Sequence, residues 1–565
     1  MTRHPRRAAP RRRPRPGARS RARPRAAVGI LAILWLGTAT AGICAPRAAP
    51  AADSGPAAPA PVPAPVPANA TALPADPVRR CTALAGTVLA GRQAIVASAA
   101  VVPATGNAPE LCLLTATFPG TALKLEARLP LSGWNHRLAF VGGGGFDGFL
   151  GGPQPFNSDS VETDRYAVLM TNGGHDDPAD APDYFQARFA LDPVKFADFT
   201  FLSEHRALAP GRALIAAFYG AAPQRSFYEG CSMGGHDAML LSQRFPDDFD
   251  GIVARAPAGN IMGLFTEFSR IAQAVARPGG NLPPAKRRLL ADAVLARCDA
   301  LDGLSDGIVS RPEACRFRPE ELRCASGADE GDRCLSDAQL ATVRAVTTPL
   351  SVLHGLVTHP GYDVGGENDP DGWNEYIWPP ADGSGLSLQR RFSDGFIRSF
   401  ITRNQSYDTL RWNPDEWFGR MLAVNAAYEA VDPDLSRFSR HGGKLIMLSG
   451  TIDTSVSPRD IARYDEAVSA KLGPATAART LEFFRAPGMG HCIGGPGPDH
   501  VDLLRALATW VDTGTPPSAQ HLVLTKPEVP AAQQLSRPLC RYPSYARYDG
   551  TGDPRSAGSF TCTAN

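Results

Sequence analysis

Gly230-Cys231-Ser232-Met233-Gly234-Gly235 carries a G-x-S-x-G pattern between two recognisable elements. Arg225-Ser226-Phe227-Tyr228-Glu229 before it reads as a short strand, and His236 to Phe245 after it reads as a helix. That context predicts a nucleophile elbow, in which a serine sits on a strained strand-to-helix turn and small neighbours keep the backbone free of clashes. A serine hydroxyl is a weak nucleophile at neutral pH and needs an adjacent base. On an α/β-hydrolase sheet the partners follow in the order acid, then histidine.

Both partners have candidates just past later strands. Lys444 to Gly450 is a buried-strand pattern, and Asp453 follows it in Thr451-Ile452-Asp453-Thr454. Asp460 is the nearest competitor, but it follows Pro458 at a predicted helix start. Leu481 to Ala486 is the last good strand, and His491 lies in the loop Pro487-Gly488-Met489-Gly490-His491-Cys492. His236 and His500 read as helix residues. An acid in this place fixes the histidine tautomer and stabilises the imidazolium. An oxyanion needs preorganised backbone donors. One is expected from the N–H of Met233. The other is expected from the run Gly142 to Gly145, with Gly144 or Gly145 as donor; a plain tight turn is the competing reading. No G-K-[ST] follows those glycines, so a phosphate-binding loop does not fit.

Further strand patterns cover Leu111 to Phe118, Lys124 to Leu129, Arg137 to Val141, Tyr166 to Asn172 and Gly251 to Pro257. A helical stretch runs from Phe201 to Tyr219. Strands alternating with helices predict an α/β class. From about Ala258 to Arg440 the rhythm breaks into a segment rich in cysteine, tryptophan and turn residues. The expected layout is a catalytic domain over 79–257 and 441–565 with a lid inserted over 258–440.

Residues 1–41 hold eleven arginines and no acid, then an apolar run Ala26 to Gly37 and an A-x-A site at Ala39-Thr40-Ala41. This predicts an export signal peptide and a secreted or periplasmic protein. The uncharged run Ala26 to Ala45 could instead remain as a membrane anchor, but its composition and marginal length make that the minor reading, so stable membrane insertion is not expected. Residues 42–78 are Ala/Pro-rich and read as an extended linker. Without the signal the formal charge of +2 becomes −9, which argues against nucleic acid as a partner. Setting Cys44 aside leaves ten cysteines, an even number in an exported chain. Local spacing suggests Cys81–Cys112, Cys298–Cys315, Cys324–Cys334 and Cys540–Cys562, with Cys231–Cys492 as the long-range pair; spacing alone does not fix the connectivity. No C-x-x-C pair supports zinc.

The pairs Cys231-Ser232 and His491-Cys492, with Asp453 between, resemble the CS-D-HC arrangement of the tannase and feruloyl esterase family, which includes mono(2-hydroxyethyl) terephthalate hydrolases. The resemblance spans about Cys81 to Cys562. It implies an α/β-hydrolase core, an inserted lid, hydrolysis of small aromatic-acid esters, a Ser232–Asp453–His491 triad and a Cys231–Cys492 bridge. In the lid, Cys298-Asp299-Ala300-Leu301-Asp302-Gly303-Leu304-Ser305-Asp306-Gly307-Ile308 places three carboxylates among two glycines. Oxygen ligands suit a hard cation, although a solvated acidic loop has the same composition. The resemblance implies structural Ca2+, with Asp299, Asp302 and Asp306 as side-chain ligands and Leu304 and Ile308 as carbonyl ligands.

Trp373, Tyr376, Trp378, Phe392, Phe396 and Phe400 could pack an aromatic acid or simply fill the lid core. Arg391 and Arg398 could meet a free carboxylate or face solvent. Val456 stands where a bulky aromatic would narrow a terephthalate-type pocket, so feruloyl or galloyl esters are the leading expectation. A serine peptidase on the same fold and a calcium-stabilised binding module are the alternatives from other classes. No organic cofactor is implied.

Overall fold

The computed structural model describes residues 73–564 apart from 90, 92, 177–184, 186, 381 and 383. The signal read over 1–41, Cys44 and the linker up to residue 72 lie outside these residues. In chain order the strands up to residue 486 are β1 (Val88–Leu89), β2 (Ala94–Val102), β3 (Leu111–Thr117), β4 (Lys124–Pro130), β5 (Arg137–Val141), β6 (Ala167–Thr171), β7 (Arg225–Cys231), β8 (Gly251–Arg255), β9 (Leu350–Val352), β10 (Val357–His359), β11 (Lys444–Gly450) and β12 (Leu481–Ala486). Ten of them form one sheet in the order β1-β2-β3-β4-β6-β5-β7-β8-β11-β12. The pairs from β1 to β6 are antiparallel, and those from β6 through β12 are parallel. This is an α/β-hydrolase fold.

Residues of the parallel strands alternate between two cores, as the two-residue strand period requires. Leu138 and Phe140 of β5 join one core, together with Met447 of β11 and Phe483 of β12. Ala139 and Val141 face the other, with Ile446, Leu448 and Phe484, under the helix Leu503–Thr513 that supplies Leu504, Leu507 and Trp510. Apolar runs buried on both faces are what a central parallel strand needs. The helix Met233–Arg244 joins β7 to β8, and Pro458–Leu472 lies between β11 and β12.

The described residues of 258–440 contribute no strand to the central sheet; β9 and β10 pair with each other. The aromatic residues of this segment pack largely on one another, and Phe146 of the core joins them. Phe396 stacks on Phe265 at 4.2 Å, Phe400 on Tyr428 at 5.5 Å, and Phe146 touches Phe392 and Phe400. The chain enters earlier than the linker reading implied. The helix Pro77–Ala83 starts at residue 77, with Asp76 accepting from the Arg79 N–H as its cap. Among the described residues five disulfides form: Cys81–Cys112, Cys231–Cys492, Cys298–Cys315, Cys324–Cys334 and Cys540–Cys562. No helix of the described residues is long and apolar enough to cross a membrane.

Candidate active site

Strand β7 ends at Cys231, the next helix begins at Met233, and Ser232 between them holds φ 60° and ψ −114°. A non-glycine residue in that region is strained, and surrounding structure must hold it there. Ser232 N–H donates to the Arg255 carbonyl at 3.0 Å, and the Ser232 carbonyl accepts from His236 and Ala258 N–H at 2.9 and 3.2 Å. The flanking glycines are there for space. A Cβ on Gly230 would lie 2.5 Å from the Gly234 carbonyl oxygen, and one on Gly234 would lie 2.7 Å from that of Gly143. Gly234 N–H donates to the Gly143 carbonyl at 3.2 Å, which seats the Gly142–Gly145 run against the elbow. A Cβ on Gly144 would meet nothing within 4 Å, so that residue borders open space.

Beneath the elbow lies a buried ion pair. Arg255 Nε donates to Glu229 Oε1 at 2.9 Å, and neither side chain is more than 2% exposed. Ser158 gives Glu229 two further hydrogen bonds, from its N–H and its hydroxyl, and Arg255 Nη2 donates to the Val501 carbonyl. These links cross-brace β7 and β8 with the loop before the helix Leu503–Thr513.

Asp453 sits in the loop after β11 and is buried. Its Oδ1 accepts from Ser455 and Val456 N–H at 2.8 and 2.9 Å. Oδ2 is left for His491 Nδ1, 2.9 Å away. A proton held on Nδ1 in that bond leaves Nε2 as the acceptor. Burial alone would pull the His491 pKa down; the charge and hydrogen bond of Asp453 outweigh it, Glu375 adds to them, and the net direction is upward. The Cys231–Cys492 bond, with Cα atoms 6.0 Å apart, joins the residue before Ser232 to the residue after His491.

Sequence reasoning missed Glu375. It lies on the short helix Trp373–Tyr376, and its neighbour Tyr376 meets the His491 ring edge-on at 5.5 Å. Burial, with the nearby charges of Asp453 and Asp371, pushes the Glu375 carboxyl up to about 7 against the pull of His491. Asp371 Oδ2 also accepts from Gly495 N–H at 2.8 Å, tying this segment to the histidine loop.

The other candidates have structural partners. His236 is buried between Asp237 and the Tyr428 carbonyl, His500 pairs with Asp159, and Asp460 accepts from Asn260. Arg398 donates to the Tyr407 carbonyl and faces Asp394, while the Arg391 guanidinium lies 3.6 Å over the Phe185 ring. Trp373, Phe396 and Phe400 are fully buried; of the six aromatic candidates, Tyr376 is the one in contact with His491.

In the acidic loop, Asp299 accepts from Asp306 and Gly307 N–H, Asp302 from Leu304 N–H, and Asp306 from Ile308 N–H and Arg537. Burial pushes the Asp302 and Asp306 carboxyls up, and repulsion within the loop adds to it. Among the described residues the carboxylates of Asp299, Asp302 and Asp306 do not bring three oxygens within 4.8 Å of one another. The donor set is entirely oxygen and its charges repel, so its chemistry fits a hard divalent cation. Arg537, which shares Asp306, would have to yield part of that carboxylate.

A family model described as "Tannase and feruloyl esterase" matches residues 118–563. The chain belongs to this family. It is a carboxylic ester hydrolase. It is 33% identical over 501 residues to a mono(2-hydroxyethyl) terephthalate hydrolase of Piscinibacter sakaiensis, covering 78% of this chain and 81% of that one. It is 28% identical over 485 residues to feruloyl esterase B of Aspergillus niger, covering 80% and 87%. The crystal structure of feruloyl esterase B from Aspergillus oryzae superposes with a TM-score of 0.71 at 25% identity, covering 83% of this chain and 97% of that one.

Proposed function

We propose that this family member is a secreted or periplasmic serine esterase that cleaves small esters of aromatic acids, of the feruloyl or galloyl kind. The observation that carries the reading is the His491–Asp453 bond combined with a disulfide linking the neighbours of Ser232 and His491. His491 Nε2 takes the Ser232 proton as the hydroxyl attacks the ester carbonyl. The Met233 N–H and one from Gly144 or Gly145 stabilise the oxyanion. His491 then protonates the leaving alcohol, and water, activated by the same imidazole, releases the acid. Asp453 keeps the imidazole oriented and stabilises its charged form.

The acidic loop is proposed to hold one Ca2+ through Asp299, Asp302 and Asp306, with the carbonyls of Leu304 and Ile308. Its role is structural: it joins the insertion to the C-terminal segment, where Arg537 and Tyr548 reach the same loop. The export signal rests on residues 1–41 alone.

A terephthalate half-ester is the second reading, favoured by the 33% identity to an enzyme named for that substrate. Specificity constants for methyl ferulate, methyl gallate and mono(2-hydroxyethyl) terephthalate separate the two. The proposal expects one of the first two to lead by at least about tenfold, and a lead by the half-ester would replace the first reading with the second. Peptide cleavage without ester cleavage would overturn both.

A further inference from the structure

Two of the hydrogen bonds that hold the catalytic loops come from residues with a second face. Ala258 N–H donates to the Ser232 carbonyl, and Val456 N–H donates to Asp453 Oδ1. Both residues also line a cavity of about 340 Å³, and none of Ser232, Met233, Asp453 or His491 lines it. A volume in this range accommodates a small molecule. The walls combine apolar side chains, Met239, Met262 and Ile461 among them, with polar ones. At the rim, Leu356 and Val431 are 64% and 43% exposed.

The polar groups at the cavity are unevenly satisfied. Glu429 accepts one backbone N–H on each oxygen, from Ile261 and Met262 at 3.1 and 2.8 Å. Asp460 Oδ2 accepts from Asn260 at 2.7 Å, and no protein donor among the described residues reaches its Oδ1. His359, 1% exposed, leaves Nε2 without a partner. Arg463 lies one helical turn beyond Asp460 on Pro458–Leu472; it is exposed and makes no ion pair among the described residues. The cavity thus offers an apolar slot, an acceptor inside and a cation at the mouth.

We infer that this cavity is a second small-molecule site, separate from the catalytic serine, that takes a hydroxyaromatic carboxylic acid. The ring lies between Met239, Met262 and Ile461, the hydroxyl donates to Asp460 Oδ1, and the carboxylate pairs with Arg463. The inference rests on the aromatic-ester reading, because acids of this class are what that reaction releases. An ester has no free carboxylate for Arg463, so the site selects product over substrate.

The test is calorimetric titration of the full chain with ferulic acid, alongside ferulamide as an uncharged comparison that is not an ester. Two variants are titrated, Arg463→Gln and Ala467→Trp, the latter filling the mouth from an exposed helix position. Unchanged thermal unfolding midpoints certify their fold. Ferulate is expected to bind the wild type, about tenfold or more weaker to Arg463→Gln, as the loss of a charge-assisted pair implies, and not measurably to Ala467→Trp. Ferulamide should not displace it. Ferulate binding that both folded variants retain, or no ferulate binding to the wild type, overturns the site. Hydrolysis of methyl ferulate is read in parallel. Intact hydrolysis with binding that ignores both variants removes the cavity alone, whereas variant-sensitive binding without any hydrolysis removes the esterase reading alone.

Discussion

Cys231 and Cys492 are bonded across 261 residues of sequence, so Ser232 and His491 each sit one peptide unit from the same covalent link. One end is the last residue of a parallel strand, and the other lies in the loop after the sheet's edge strand. The bond therefore constrains two elements that hydrogen bonding within the sheet does not join directly, since β8 and β11 lie between them.

Replacing both cysteines by alanine should cost about 2–4 kcal/mol of stability, a typical disulfide contribution. It should also lower kcat by about 10- to 100-fold, because small misplacements of reacting groups are this expensive. Urea unfolding and steady-state kinetics on the same preparation check both. Full kcat in the double variant would show that the bond does not position the histidine.

As the proposed base, His491 must be neutral to accept the Ser232 proton, so kcat/KM should rise with pH through the His491 pKa. With that pKa raised by Asp453, the acidic limb should lie above the ordinary imidazole value of about 6.5. Asp453→Asn should lower kcat by about 10⁴-fold and move the limb to lower pH. Glu375→Gln should also move it down, by a smaller amount, since it removes a negative charge that supports the imidazolium. An upward shift in either variant contradicts this electrostatic assignment.

Arg255 and Glu229 make a pair that is costly to break from one side. Arg255→Leu leaves a buried carboxylate without its cation and should destabilise the fold by about 3–5 kcal/mol. Chemical denaturation measures it. A loss below about 1 kcal/mol would mean that water or another cation replaces the guanidinium.

Much of the framework was legible because its residues have one plausible environment. Arg137 to Val141 and Lys444 to Gly450 are largely apolar on both faces, Leu481 to Ala486 is mostly buried although it carries Glu482 and Arg485, and each is a strand of the main sheet with the bounds that the sequence pattern suggests. Asp453 and His491 follow such strands, so their order could be read. Strand β2 escaped notice: Ala94–Val102 is rich in alanine, and its outer face is open, with Ile95 38% exposed. Phe396 and Phe400 could not be separated from pocket-lining residues, because burial against Phe265 and Tyr428 is a tertiary fact. Glu375 carries no local pattern at all. Only the packing of its short helix on the histidine loop brings it to the site.

Calcium should stabilise the protein without entering the chemistry. At a free concentration about a hundredfold above Kd the gain is about 2.7 kcal/mol, visible as a higher unfolding midpoint that chelator reverses. Asp302→Asn should abolish that increment. A midpoint indifferent to Ca2+ and chelator would leave the loop as an acidic turn braced by Arg537.

The most direct measurement is intact-mass and peptide-mass analysis of the folded, oxidised protein after exposure to an aryl fluorophosphonate. The expected result is one adduct per chain, located on Ser232, with labelling slowed by orders of magnitude in His491→Ala and absent in Ser232→Ala. A folded protein that takes up no adduct, or takes it up equally well without His491, would contradict the catalytic assembly described for this site.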